Sequence, residues 1–166
     1  MGTKINLLAV FLVAALAFCA CSDDDDKNDG ITVPENISHA LLQKYPSATG
    51  IEWKQKGDYY VADCRVDGKD FDVWFSKSAT WQMTEVEISW NNLPPAVQTT
   101  FNNSEYARWK REDIVWLQYP TTPMQYVIEV ENNHTEYQLF YAEDGGLLQK
   151  KDVTGKDDTH WPVSLI

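Results

Sequence analysis

The chain has 166 residues and a formal net charge of −11 at pH 7, from 14 basic and 25 acidic side chains. This charge disfavours binding to nucleic acid, and binding to anionic lipid through charge, because both need clusters of Lys and Arg. The length suits one domain or two very small ones, with enough chain to bury a core.

The N-terminal residues have the pattern of a secretory signal. Lys4 precedes an apolar run, Ile5 to Phe18, that is too short to span a bilayer and has the length of a signal-peptide core. The run leads to Cys21, with the small residue Ala20 before it, and this resembles the lipobox of bacterial lipoproteins. The resemblance implies that residues 1–20 are cleaved and that Cys21 is acylated. An ordinary cleaved signal peptide is the alternative.

Residues 21–30 form an acidic tether. Residues 22–30 contain no apolar side chain, so we expect a solvated segment between the lipid and the domain. The run of four aspartates after Ser22 resembles the export signal that takes lipoproteins of some Gram-negative gut bacteria to the outer face of the outer membrane. The resemblance implies surface exposure, and a lipoprotein facing the periplasm is the alternative.

One sequence pattern occurs twice after residue 31. Residues 33–37 match 93–97, and residues 71–75 match 137–141, which predicts two repeats, 31–90 and 91–155, followed by a C-terminal tail, 156–166. Each repeat reads as one helix followed by four strands. The pattern therefore predicts an α+β fold, a tandem repeat of one helix packed on a four-stranded antiparallel sheet. The predicted helices are 35–45 and 95–102, and the predicted strands are 50–56, 59–67, 70–77, 80–88, 107–118, 124–131, 134–142 and 145–153.

Alternation along the strands predicts which side chains face away from the helices. Trp74 and Phe140 occupy matching positions on that face, where exposed aromatic rings would suit a protein partner or stacked sugars. Trp81 is a third candidate, although the alternation slips after it. Tyr119 and Pro120 begin a proline-containing loop that is a further candidate contact. The alternative is that these rings fill the seam between the repeats.

The sequence contains no recognisable catalytic or metal-binding motif. His39, His134 and His160 lack metal-ligand spacing, and no serine lies in a common nucleophile motif. Cys64 lies in an alternating strand and is expected to be a buried thiol. Acidic pairs on the strands are interpreted as the solvated side of a sheet. We therefore predict a non-enzymatic protein without metal or cofactor.

The segment Pro34…Tyr45-Pro46-Ser47-Ala48…Trp53, before four alternating strands, resembles the PepSY-like, β-lactamase-inhibitor-like family of secreted bacterial proteins. The resemblance covers residues 31–154, although the second copy lacks the Tyr-Pro-x-Ala element. It implies two repeats joined in a concave aromatic sheet that binds or inhibits secreted or envelope enzymes, including peptidases, with Trp74 and Phe140 on the concave face. The hypothesis is a lipid-anchored envelope module that binds a protein. A glycan-binding surface lipoprotein and a purely structural component are the alternatives.

Overall fold

The computed structural model describes residues 31–162. The predicted signal peptide, Cys21 and the acidic tether lie outside these residues. The described part contains two α-helices, a short 3-10 helix at Trp90–Asn92 and eight strands. The helices are α1 (Glu35–Lys44) and α2 (Pro95–Asn102), and the strands are β1 (Thr49–Lys56), β2 (Tyr59–Val66), β3 (Lys69–Ser76), β4 (Trp81–Glu87), β5 (Lys110–Gln118), β6 (Gln125–Asn132), β7 (Thr135–Ala142) and β8 (Leu147–Asp152).

All eight strands form one antiparallel sheet in chain order, β1 to β8. The two sets of four strands are joined where Thr84–Glu87 of β4 pairs with Val115–Gln118 of β5. The prediction of an α+β fold with two helices and eight antiparallel strands is confirmed. The tandem repeat remains an interpretation of the element order, in which each helix precedes four strands.

The turns between strands use residues that tolerate a positive φ. Gly57 connects β1 to β2 at φ 59°, and Asp67 and Gly68 connect β2 to β3 at 52° and 79°. Asn133 and His134 connect β6 to β7 at 49° and 66°. Left-handed backbone at both turn residues matches the twist of a two-residue hairpin, which explains why neighbouring strands pair directly.

Both helices cover the same face of the sheet. Ile37 and Leu41 of α1, and Val97 and Phe101 of α2, are fully buried in one core with alternate residues of the strands. Burial of each such side chain contributes about 1.5–3 kcal/mol, so this core holds the helices on the sheet. Within residues 31–162, neither helix has the length and apolar character that crossing a membrane requires. The opposite side of the sheet is called here the helix-free face.

Candidate functional site on the helix-free face

A second apolar cluster lies on the helix-free face. Trp74 and Phe140 belong to it, which confirms the predicted side of the sheet for both residues. Their predicted exposure is wrong, because Trp74 is 0% and Phe140 is 8% exposed. The other buried members are Val61, Met83, Val115, Leu117, Tyr119 and Val127.

The terminal segment, residues 157–162, covers this cluster. The Trp161 ring lies edge-on to Trp74 with centroids 5.5 Å apart, and the His160 ring lies edge-on to Phe140 at 5.8 Å. His160 Nδ1 also lies 3.1 Å from Glu85 Oε1. The backbone thus returns to the sheet after β8 and buries rings that the strand pattern alone would leave exposed.

Trp81 lies on the helix-covered face, so its predicted place beside Trp74 is wrong. The β3–β4 register shifts between Trp74 and Phe75, and this irregularity pairs Phe75 with Trp81. Trp81 Nε1 donates a hydrogen bond to Thr84 Oγ1 at 2.9 Å, and Lys44 Nζ lies 3.4 Å from the centroid of its ring. Trp81 therefore makes a cation–π contact with Lys44, the last residue of α1.

Tyr119 and Pro120 lie at the end of β5, with different exposure. Tyr119 is 8% exposed within the cluster of the helix-free face, and burial raises the pKa of its phenol to about 12. Pro120 is exposed. Of this predicted pair, Pro120 is therefore the residue that is accessible with the terminal segment in place.

An acidic groove of about 310 Å³ lies beside the apolar cluster on the same face. Its volume is at the lower end of the range for ligand sites. Eight of its fifteen lining residues are Asp or Glu, against one lysine, Lys56, and one histidine, His160. The eight acids are Asp63, Asp70, Asp72, Glu85, Glu87, Asp113, Glu129 and Asp158.

Strand register places several of these carboxylates directly opposite one another. Glu52 pairs with Asp63, Asp63 with Asp72, and Asp72 with Glu85, so four acids cross β1 to β4 in one row. Directly opposed like charges destabilise a sheet. This row is not visible in the sequence, where each strand acid alone is typical of a solvated sheet side, because the register that aligns the acids is a non-local property.

Some of the groove acids are neutralised and others are not. Asp63 Oδ2 lies 3.0 Å from Lys54 Nζ, and Asp70 Oδ1 lies 2.9 Å from Arg65 Nε. Asp72 and Asp113 have no side-chain hydrogen bond or ion pair with any residue of the described part.

Burial perturbs the acidity of two groove carboxyls. Desolvation, together with the negative charges of Asp63 and Glu85, raises the pKa of Asp72 to about 6, although Lys54 and Lys56 oppose the rise. Burial also raises the pKa of Glu129, although its hydrogen bond from Gln138 opposes the rise. The groove therefore holds negative charge that the surrounding protein does not fully compensate.

Two kinds of reactive group, a metal-binding cluster and an activated cysteine, are not found at the groove in residues 31–162. No group of three or more His, Cys, Asp or Glu side chains there is arranged to hold a metal ion. Cys64 is buried on the helix-covered side, and desolvation raises the pKa of its thiol to about 11, which makes a thiolate nucleophile unfavourable. The arrangement is suited to binding a ligand.

Comparison with known proteins agrees with this fold. A BLIP-like protein from Bacteroides fragilis is 50% identical, with a TM-score of 0.76 over 84% of this chain and 99% of that chain. A DUF2874 family protein from Bacteroides ovatus is 32% identical, with a TM-score of 0.74 over 78% and 94% of the two chains. A "putative periplasmic" protein from Bacteroides eggerthii is 30% identical, with a TM-score of 0.73 over 77% and 94%.

No curated protein matches the chain. The family model described as "Putative beta-lactamase-inhibitor-like, PepSY-like" matches residues 58–149, from the first hairpin to β8. This match confirms the family resemblance inferred from the Pro34 to Trp53 segment and the alternating strands after it. The chain belongs to the PepSY-like, β-lactamase-inhibitor-like family.

Proposed function

We propose that the chain is a lipid-anchored, non-enzymatic module of a Gram-negative cell envelope. It binds a protein partner, a secreted or envelope hydrolase such as a peptidase, against the helix-free face. The single observation that carries this proposal is the groove of about 310 Å³ on that face, since α1 and α2 occupy the other side of the sheet. The family name, which describes inhibitor-like proteins, supports the same class of function.

The proposed mechanism is steric. A partner held on the helix-free face would contact the groove and the exposed Pro120, and the sheet would block access to the partner's own cleft. Contact with Trp74 or Phe140 would also require the terminal segment to move, because Trp161 and His160 pack on those rings. The accessible surface is therefore mainly the acidic groove and its rim.

A glycan ligand is less well supported than a protein ligand. Sugar stacking uses exposed aromatic faces, and Trp74 and Phe140 are buried. In residues 31–162, Trp161, at 43% exposed, is the one exposed aromatic side chain. A row of rings that would hold successive sugars is therefore not present in this part of the chain.

Site-specific photo-crosslinking tests the proposed face. A benzophenone amino acid is placed in the full chain at Glu87, on the groove, or at Pro120, and the matched control is Leu42, which is exposed on α1. We expect a discrete protein adduct from the first two positions in intact cells and none from Leu42. Equal adducts from all three positions, or adducts with polysaccharide alone, would contradict the proposal.

The lipid anchor is tested separately. Cys21→Ser should abolish incorporation of labelled fatty acid and move the chain from the membrane fraction to the soluble fraction. Digestion of intact cells by added protease then distinguishes surface display from a periplasmic orientation. Retention of the Cys21→Ser variant in the membrane would refute anchoring through this residue.

A further inference from the structure

Two buried acceptor atoms at the acidic groove have no donor in the described part of the chain. Gln138 is 0% exposed, and its Nε2 donates to Glu129 Oε2 at 3.1 Å and to the Asp158 carbonyl oxygen at 2.5 Å. These two acceptors fix the orientation of the amide, so the remaining atom, Oε1, is an acceptor. Oε1 is buried and has no hydrogen-bond partner among residues 31–162.

His160 supplies the second acceptor. Its side chain is 10% exposed, and its Nδ1 lies 3.1 Å from Glu85 Oε1. A carboxylate accepts hydrogen bonds, so in the neutral form of the ring the proton lies on Nδ1 and Nε2 is an acceptor. Nε2 is buried, and no residue in the described part of the chain forms a hydrogen bond with it. Burying an acceptor without a donor is unfavourable, and a ligand that donates hydrogen bonds would remove this penalty.

The two halves of the sheet show that the acidic row is not a requirement of the fold. Residues 66 apart occupy equivalent pairings, so Asp63–Asp72 in β2–β3 corresponds to Glu129–Gln138 in β6–β7. Gln138 pairs in turn with Lys151 of β8, where the first half has Glu85. The second half thus has an acid, an amide and a base where the first half has three acids.

The shape of the charged region favours an extended ligand. The acids of the row stand on neighbouring strands about 4.8 Å apart, so four strands span about 14 Å. A ligand with several positive groups along its length would meet successive carboxylates. A Lys or Arg side chain also supplies the N–H donors that the two buried acceptors lack.

We propose that the acidic groove binds Lys and Arg side chains of an extended basic segment of the partner protein. This inference rests on the proposed function and specifies which part of a partner the helix-free face recognises. The ammonium or guanidinium groups lie among the carboxylates of Asp72 and Asp113, and donation to the buried Gln138 Oε1 requires residues 157–162 to move. The apolar cluster under Trp161 is not needed for this contact.

Calorimetric titration of the full chain with an acetyl-capped hexalysine peptide tests the inference. The groove variant is Asp72→Asn/Asp113→Asn, which keeps all ion pairs described above. The control variant Glu105→Gln/Glu143→Gln removes two exposed acids that do not line the groove, so both variants have the same net charge. Circular dichroism establishes that both variants fold.

We expect the groove variant to bind hexalysine about tenfold more weakly than the wild type, and the control variant to retain wild-type affinity. Equal weakening in both variants would overturn the inference, because it would show diffuse attraction to the net charge. Tighter binding of spermine or of Ca²⁺ alone than of the peptide would also overturn it.

The crosslinking experiment separates failure of this inference from failure of the proposed function. If the groove variant still forms the adduct at Pro120 in wild-type yield, binding of a protein partner is supported and recognition of a basic segment by the groove is refuted. If hexalysine binding depends on the groove acids but no position on the helix-free face forms a protein adduct, the groove is a site for cations and the protein-binding function is refuted.

Discussion

Neutralising Asp72 should stabilise the protein at neutral pH. Burial and the neighbouring Asp63 and Glu85 raise the pKa of this carboxyl from 3.8 to about 6, so the folded state disfavours its ionised form. A difference of about 2 in pKa corresponds to about 3 kcal/mol, at about 1.4 kcal/mol for each pKa unit. We treat this as an upper limit and expect Asp72→Asn to raise the free energy of unfolding by about 1–2 kcal/mol at pH 7.5.

The pH dependence gives the sign of the effect. Between about pH 4 and pH 6 the folded state binds more protons at Asp72 than the unfolded state does, so this residue lowers stability as the pH rises through that window. The penalty is complete above about pH 6 and absent below about pH 4. The stabilisation by Asp72→Asn should therefore be largest at pH 7.5 and disappear at pH 3.5.

Urea unfolding followed by tryptophan fluorescence measures this difference. At pH 7.5 the variant should have a higher midpoint with an unchanged slope, and its melting temperature should rise by roughly 4 °C per kcal/mol. Glu105→Gln, at an exposed site outside the groove, serves as the control and should remain within about 0.5 kcal/mol of the wild type. Equal stabilisation at pH 3.5 and 7.5, or destabilisation at pH 7.5, would refute the reasoning.

Three further predictions concern packing. Gly145→Ala should lower the free energy of unfolding, measured with urea, by more than about 2 kcal/mol, because φ is +88° and a Cβ would lie 2.6 Å from the Ala96 carbonyl oxygen of α2. Gly68→Ala is the control: φ is +79° but the space around it is open, so it should lower the free energy of unfolding by about 1 kcal/mol. Trp161→Ala should increase binding of the dye ANS by uncovering the apolar cluster, whereas Trp161→Phe should not; unchanged dye binding would argue against the cover. With the two N-terminal cysteines replaced by serine, the Cys64 thiol should resist DTNB until the chain unfolds.

Local sequence patterns were sufficient to predict the elements and most of their faces. The Asp67–Gly68 turn carries residues that accept positive φ, so its hairpin could be placed from sequence. Alternation then put Trp74 and Phe140 opposite the helices, as the structure has them. These inferences succeed because turn chemistry and a period of two are properties of a few consecutive residues.

The errors arise from non-local contacts and from one change of register. The burial of Trp74 depends on Trp161, which is 87 positions later in the chain, and no pattern within β3 contains that information. Trp81 lies on the other face because the β3–β4 register shifts between Trp74 and Phe75, the residue that pairs with Trp81. A register shift of one residue exchanges the faces of a strand, so alternation fails beyond it.

The acidic row connects the stability of this sheet with its proposed use. The β6–β7 pairing has Glu129 opposite Gln138, held by a 3.1 Å hydrogen bond, where β2–β3 has Asp63 opposite Asp72. The same sheet geometry therefore accommodates a hydrogen-bonded acid–amide pair, and the two opposed acids cost stability that the fold does not require. Proteins retain such local conflicts mainly at functional sites, where a ligand removes the conflict. A cationic side chain in the groove would do so by lowering the pKa of Asp72 and supplying a donor to Gln138 Oε1, so ligand binding and folding stability should be coupled through the same residues.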